Sequence, residues 1–195
     1  MKKLVLFGVL ILITTLLTAC NNDSENEDSK ALDTELTDSL TLEADYEGKS
    51  FFEDGIGEVI ITRCVDGDTF HFREVGSDVV DSVRFIGVDT PETNYGVEPW
   101  GQAASDFTCI KLANAETIVL EWDDSLDSRT GNYGRWLGFV WYDGRLLNLE
   151  LVELAYSHSS AINTKYGDIM QDAWYKAMET GRRVHGEIDE DYDYD

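Results

Sequence analysis

Apolar residues change their period several times along this chain, and the changes mark elements. Residues 58–65 and 69–75 are runs rich in β-branched and aromatic side chains, joined through Asp66-Gly67-Asp68, and 79–87 is a third such run after the Gly76-Ser77-Asp78 turn. This pattern predicts a three-stranded meander. Residues 101–114 place Ala104, Phe107, Thr108 and Leu112 near helical spacing, 117–122 returns to strand, and 136–142 supplies a fifth strand after the loop 123–134. Beyond the Tyr142-Asp143-Gly144 turn, helices are predicted over 148–156 and 166–181, the second ending at Gly181, a residue suited to a left-handed cap. Five short strands with one inserted helix and C-terminal helices predict an α+β domain built on a small Greek-key barrel, with the five-stranded OB-fold as the leading candidate.

The first 19 residues have a different pattern. Lys2 and Lys3 precede an apolar run over 4–17, broken only by Gly8 and the pair Thr14 and Thr15. The run is short for a membrane span and reads as a signal peptide. It ends in Leu17-Thr18-Ala19-Cys20, which resembles a bacterial lipoprotein box. The resemblance implies cleavage ahead of Cys20 and a diacylglyceryl group on its thiol, and two or more acyl chains suffice to hold a protein on a membrane. A plain secretory signal and an uncleaved anchor are the alternatives. In each case the domain is expected to work outside the cytoplasm, facing outward from the cell membrane or released from it.

Charge separates the domain from its appendages. The 195 residues carry 39 Asp and Glu against 15 Lys and Arg, a net charge of -24, which argues against general nucleic-acid coating and against a polybasic membrane contact. Residues 21–56 hold 12 acids and two lysines with scattered apolar residues, and 187–195 hold six acids and no base. These segments read as a solvated acidic tether (20–56) and a disordered acidic tail. The remaining 57–186 has 21 acids and 11 bases, so the predicted domain is only moderately acidic. Three irregularly spaced cysteines make neither a disulfide scaffold nor a four-thiolate zinc site.

Candidate chemistry lies where charged residues meet turns beside apolar strands: Asp66-Gly67-Asp68-Thr69, the run from Arg84 through Asp89-Thr90-Pro91-Glu92-Thr93, and Gly131-Asn132-Tyr133-Gly134-Arg135. Asp68, Asp89 and the Thr90 carbonyl make an oxygen-only donor set that suits Ca²⁺ or Mg²⁺ and offers nothing soft for zinc or copper. A shell completed by water leaves room for a phosphate oxygen and a nucleophilic water. The loop 123–134 is not a calcium loop of the helix–loop–helix type, since Ser128 stands where its turn glycine belongs and Gly134 where its closing Glu belongs. His71, His158 and His185 lack metal-ligand spacing, and the five tryptophans read as core or edge aromatics.

Taken together and in order, D-G-D-T, R-x-x-x-x-D-T-P-E-T and Y-G-R make residues 57–186 similar to the staphylococcal nucleases, the secreted thermonucleases. The resemblance implies an OB-fold endonuclease that cuts DNA and RNA to leave 3'-phosphate ends. It implies Asp68, Asp89 and the Thr90 carbonyl as Ca²⁺ ligands, Glu92 as general base, Arg84 and Arg135 as phosphate-binding arginines, and Tyr133 as a phosphate contact. A monomer is expected. The chain departs from the family in 93–100, which is short and bears Glu98 but no lysine, and in 155–163, which has His, Ser and Ala where the prototype has substrate-contacting tyrosines. A nuclease-like module that binds nucleic acid or a partner without cutting is the competing reading, and the intact set of charged residues argues against it. Cys64 and Cys109 fall on the predicted first strand and first helix of an exported protein, where a disulfide and a pair of buried thiols both remain open.

Overall fold

A computed structural model of the chain describes residues 32–93 and 96–189. The expected signal peptide, Cys20 and the last six residues lie outside the described residues. Strands β1 (Ile56–Cys64), β2 (Thr69–Glu74) and β3 (Asp81–Phe85) form the expected antiparallel meander, with Phe70 opposite Val83 and Ile61 opposite Phe72. Helix α3 (Gly101–Asn114) follows, then β4 (Ile118–Glu121), β5 (Trp136–Tyr142) and the two-residue β6 (Arg145–Leu146), then α4 (Leu147–Glu153) and α5 (Gly167–Thr180). β4 pairs with β1 and β5 with β4, both antiparallel. β3 closes the sheet by running parallel to β5, with Arg84 opposite Leu137. The result is a five-stranded mixed barrel of OB type in an α+β domain.

Alternation along the strands decides what the barrel encloses. In β2, Phe70 and Phe72 point inward and are buried, while His71 and Arg73 face out. Phe85 of β3 meets Phe70 edge-on at 5.8 Å between ring centroids, and Phe139 of β5 meets Tyr166 at 4.8 Å. β5 is buried along most of its length, so its sequence reads as a continuous apolar run rather than an alternating one. Asn148, buried in α4, ties the barrel end together by donating to the Ile86 carbonyl at 3.0 Å and accepting from Val140 N at 2.8 Å. Trp122 and Trp141 are core residues, and Trp100, Trp136 and Trp174 pack against the core from its margin.

The acidic segment expected to be a solvated tether up to residue 56 is instead folded from 33 onward. It forms two short helices, α1 (Glu35–Ser39) and α2 (Phe51–Asp54), before entering β1. Phe51 is 1% exposed and its ring contacts Phe72 and Trp136, while Leu36, Leu40, Leu42, Ala44 and Tyr46 pack against the core. The buried Glu153 carboxylate of α4 receives the start of α1. It accepts from Leu36 N at 2.7 Å, Thr37 N at 2.8 Å and Thr37 Oγ1 at 2.5 Å. Burial pushes the Glu153 carboxyl above its ordinary range, against the pull of these bonds. Scattered apolar residues suffice here because the domain supplies both the surface they cover and the acceptor that caps the helix.

Cys64 at the end of β1 and Cys109 in α3 form a disulfide, with Cα atoms 5.8 Å apart. Among the described residues, no helix is long and apolar enough to cross a membrane.

Candidate active site

The barrel gathers the three charged segments at one mouth. Asp68 immediately precedes β2, Arg84 lies on β3 opposite Thr69, and the loop after β3 brings back Asp89 and Thr90. The Arg84 guanidinium spans the two carboxylates: Nη1 donates to Asp68 Oδ1 and Nη2 to Asp89 Oδ1 at 2.7 Å, with a longer bond to the Val88 carbonyl at 3.3 Å. Asp68 Oδ2 accepts from Thr90 N at 2.8 Å and Thr90 Oγ1 at 3.2 Å, and Oδ1 also accepts from Thr69 Oγ1 at 3.0 Å.

Asp68 is 0% exposed, whereas Asp89 is largely open to solvent. Burial pushes the Asp68 carboxyl up to about 7, with the Asp66 carboxylate adding to the rise and Arg84 and Thr90 N opposing it.

Backbone geometry holds the loop in this position. At Gly87 the chain turns with φ +70°, and a Cβ there would lie 2.3 Å from the Ala161 Cβ, so the residue leaving β3 must be glycine. Asp89 is fixed from the opposite side: its N donates to the buried Ser157 Oγ at 2.9 Å, and its carbonyl accepts from His158 N at 2.8 Å. Glu92 is exposed at the rim. Its peptide is clasped by Glu98, whose Oε2 accepts from Glu92 N at 2.9 Å and whose own N donates to the Glu92 carbonyl at 3.0 Å.

Arg135 enters from the turn before β5. Its Nη1 reaches Thr69 Oγ1 at 3.4 Å, and its Nε is buried with no hydrogen-bond partner among the described residues. A buried, unpaired guanidinium N–H is a donor awaiting an acceptor. Tyr133 stands at the mouth, 97% exposed at φ 61°, with the Arg135 guanidinium 5.8 Å from its ring centroid.

Asp68, Arg84, Asp89 and Thr90 therefore meet directly, Arg135 joins them through Thr69, and Tyr133 joins through Arg135. Glu92 shares their loop, and its contacts there are made by its peptide, to Glu98.

Glu98, Ser157 and His158 were not legible as site residues. Glu98 stood out only as an acid in a loop expected to be basic, and Ser157 and His158 only as replacements for tyrosines. The nearby Tyr156 and Tyr166 belong to the frame: Tyr156 carries the Arg183 guanidinium 4.0 Å over its ring, and Tyr166 donates to Glu121 at 2.9 Å. Among the described residues, no group of three or more His, Cys, Asp or Glu side chains is arranged to hold a metal ion. The donors at the mouth are two carboxylates with backbone oxygen nearby, which fits a hard cation that keeps several waters and does not fit a thiolate or imidazole metal.

An OB barrel with a buried carboxylate, a second acid and two arginines converging at its mouth has the equipment of a phosphodiester hydrolase. Residues 82–183 match the family described as staphylococcal nuclease homologue. The chain is 37% identical over 124 residues to the thermonuclease of Staphylococcus intermedius, covering 61% of this chain and 70% of that protein. It is 32% identical over 185 residues to endonuclease YncB of Bacillus subtilis (strain 168), covering 86% of this chain and 84% of that protein. The thermonuclease of Staphylococcus hyicus is 35% identical over 129 residues, covering 64% and 73%. The chain belongs to the staphylococcal nuclease family, and its enzyme class is nuclease.

Proposed function

We propose that the chain is a calcium-dependent endonuclease that hydrolyses phosphodiester bonds of DNA and RNA to leave 3'-phosphate ends. The convergence of Arg84 on both Asp68 and Asp89 carries this reading, because it brings residues from a turn, a strand and a loop to one point. In this role Asp68, Asp89 and the Thr90 carbonyl hold Ca²⁺. Bound Ca²⁺ would supply a fixed positive charge beside a phosphate oxygen and an acidified water.

Glu92 takes the proton from the attacking water, the new P–O bond forms on the face opposite the leaving group, and the bond from phosphorus to the 5'-oxygen breaks. The 5'-oxygen leaves with a proton from solvent. Charge grows on the equatorial phosphate oxygens during this step, and the two guanidiniums meet it with planar forks that stay protonated at any working pH. The unpaired Arg135 Nε is suited to a phosphate oxygen, and Tyr133 extends the contact surface along the strand. Arg84 turns a donor toward phosphate once the carboxylates are neutralised from elsewhere. By analogy with other phosphoryl-transfer arginines, each contributes on the order of 10³ or more in rate.

Cys20 carries the lipid that holds the enzyme at the outer face of the cell membrane, and the enzyme acts as a monomer. The test is cleavage of single-stranded DNA and of RNA with Ca²⁺ and with chelator, followed by analysis of the new ends. Chelator-sensitive cleavage with phosphatase-removable 3'-phosphates is expected. Chelator-resistant cleavage, or 5'-phosphate ends, overturns the proposal.

A further inference from the structure

The turn that presents Asp68 is held from α3 at two places. The Cys64–Cys109 disulfide fastens the end of β1 to the helix, two residues before Asp66. One residue along the helix, the fully buried Thr108 donates its Oγ1 to the Gly67 carbonyl at 2.6 Å. On the opposite side Gly67 abuts Thr90: a Cβ on Gly67 would lie 2.7 Å from Thr90 Oγ1. The turn 66–68 is thus wedged between Thr108 and Thr90, and Asp66 Oδ1 completes it by accepting from Asp68 N at 3.1 Å. Both cysteines are only partly buried, so a small dithiol can reach the bond.

We propose that Thr108 and the Cys64–Cys109 disulfide are positioning elements for Asp68, and that the oxidation state of this cysteine pair sets the cation affinity of the site. The inference rests on the reading of Asp68, Asp89 and Thr90 as cation ligands. Reduction needs a dithiol as co-reactant. Its thiolate attacks one sulfur and breaks the S–S bond, its second thiol resolves the mixed disulfide, and two electrons and two protons pass to Cys64 and Cys109 as thiols while the reductant becomes a disulfide.

With the bond open, β1 is no longer fastened to α3 and the turn keeps only the Thr108 hydrogen bond on that side. A carboxylate that wanders costs cation affinity, since partners that orient a metal ligand contribute roughly 10- to 100-fold each. The enzyme is therefore slack where dithiols keep thiols reduced and tight where the pair oxidises, which restrains a nuclease before it leaves a reducing compartment.

The test is direct Ca²⁺ binding by calorimetry on the full chain, at a temperature where circular dichroism shows each form folded. The forms compared are the oxidised protein, the dithiol-treated protein, the reoxidised protein, and the disulfide-intact variants Thr108→Val and Thr108→Ser. Reduction should raise the Kd about tenfold or more, and reoxidation should restore it. Thr108→Val should weaken binding by about tenfold, whereas Thr108→Ser, which keeps the hydroxyl, should bind nearly as the parent does. Equal Kd values for the oxidised and reduced proteins overturn the redox brace. Should reduction unfold the chain, the brace stands or falls on Thr108→Val, and an unchanged Kd there overturns it. Oxidised parent protein that binds no Ca²⁺ overturns the cation reading itself.

Discussion

Glu153→Ala should release the N-terminal strap while leaving the barrel folded. The substitution removes the acceptor of three hydrogen bonds from Leu36 N, Thr37 N and Thr37 Oγ1, in a place where Thr37 is fully buried. Each donor left buried without a partner costs about 1–3 kcal/mol, so keeping α1 docked would cost at least about 3 kcal/mol. Five-residue helices have little stability of their own, so α1 escapes that cost by peeling into water. A local opening made easier by about 3 kcal/mol speeds exchange of its amides by roughly 100-fold.

Hydrogen exchange read by mass spectrometry on peptides covering 33–42, with peptides from β2 and β5 as internal reference, measures this directly. Fast exchange confined to 33–42 is expected. Asp38→Ala, which removes the exposed pair with Arg145 and an exposed bond from Thr34 Oγ1, should change the same peptide much less. Wild-type exchange over 33–42 in Glu153→Ala would refute the clasp, and equal loss of protection in β2 and β5 would refute the separation of strap from barrel.

Further outcomes follow from the site. Glu92→Gln should lower turnover by roughly 10² to 10⁴ with Ca²⁺ binding nearly unchanged, measured by steady-state kinetics beside calorimetry. Glu98→Ala frees the Glu92 peptide from its side-chain clasp and should lower kcat about tenfold, with a smaller effect on KM, in the same assay. Asp68 gives a pH dependence. Because its carboxyl is pushed up to about 7 from an ordinary 3.8, protons compete with the cation below pH 7, and the Ca²⁺ Kd should rise about tenfold per pH unit between pH 6 and 5. In the metal-free protein this group's contribution to stability is full below pH 4 and is lost as pH rises toward 7, so chemical denaturation without Ca²⁺ should show the opposite slope. Cys20→Ala should abolish lipid attachment, read by mass spectrometry of the intact protein.

Much of the barrel was legible because strand and helix periods are local properties of sequence. The 101–114 helix and the 136–142 strand fall where expected, and the ends of the others move by no more than a few residues. β6 escaped notice because two residues carry no period. The site motifs were legible for a related reason: Asp68, Asp89 and Arg135 are charged residues in turns and loops, and Arg84 is a charged residue near the end of an apolar strand, where packing alone has no use for them. What only tertiary structure decided are contacts between residues remote in sequence. Glu153 lies 116 positions from Thr37, Ser157 lies 68 from Asp89, and Thr108 lies 41 from Gly67. The same distinction separates the disulfide, undecided by the positions of Cys64 and Cys109, from the strand and helix those positions sit on. A local pattern reports the period a segment can adopt, but whether an acidic segment packs or an acid is buried depends on which surface closure of the barrel brings against it.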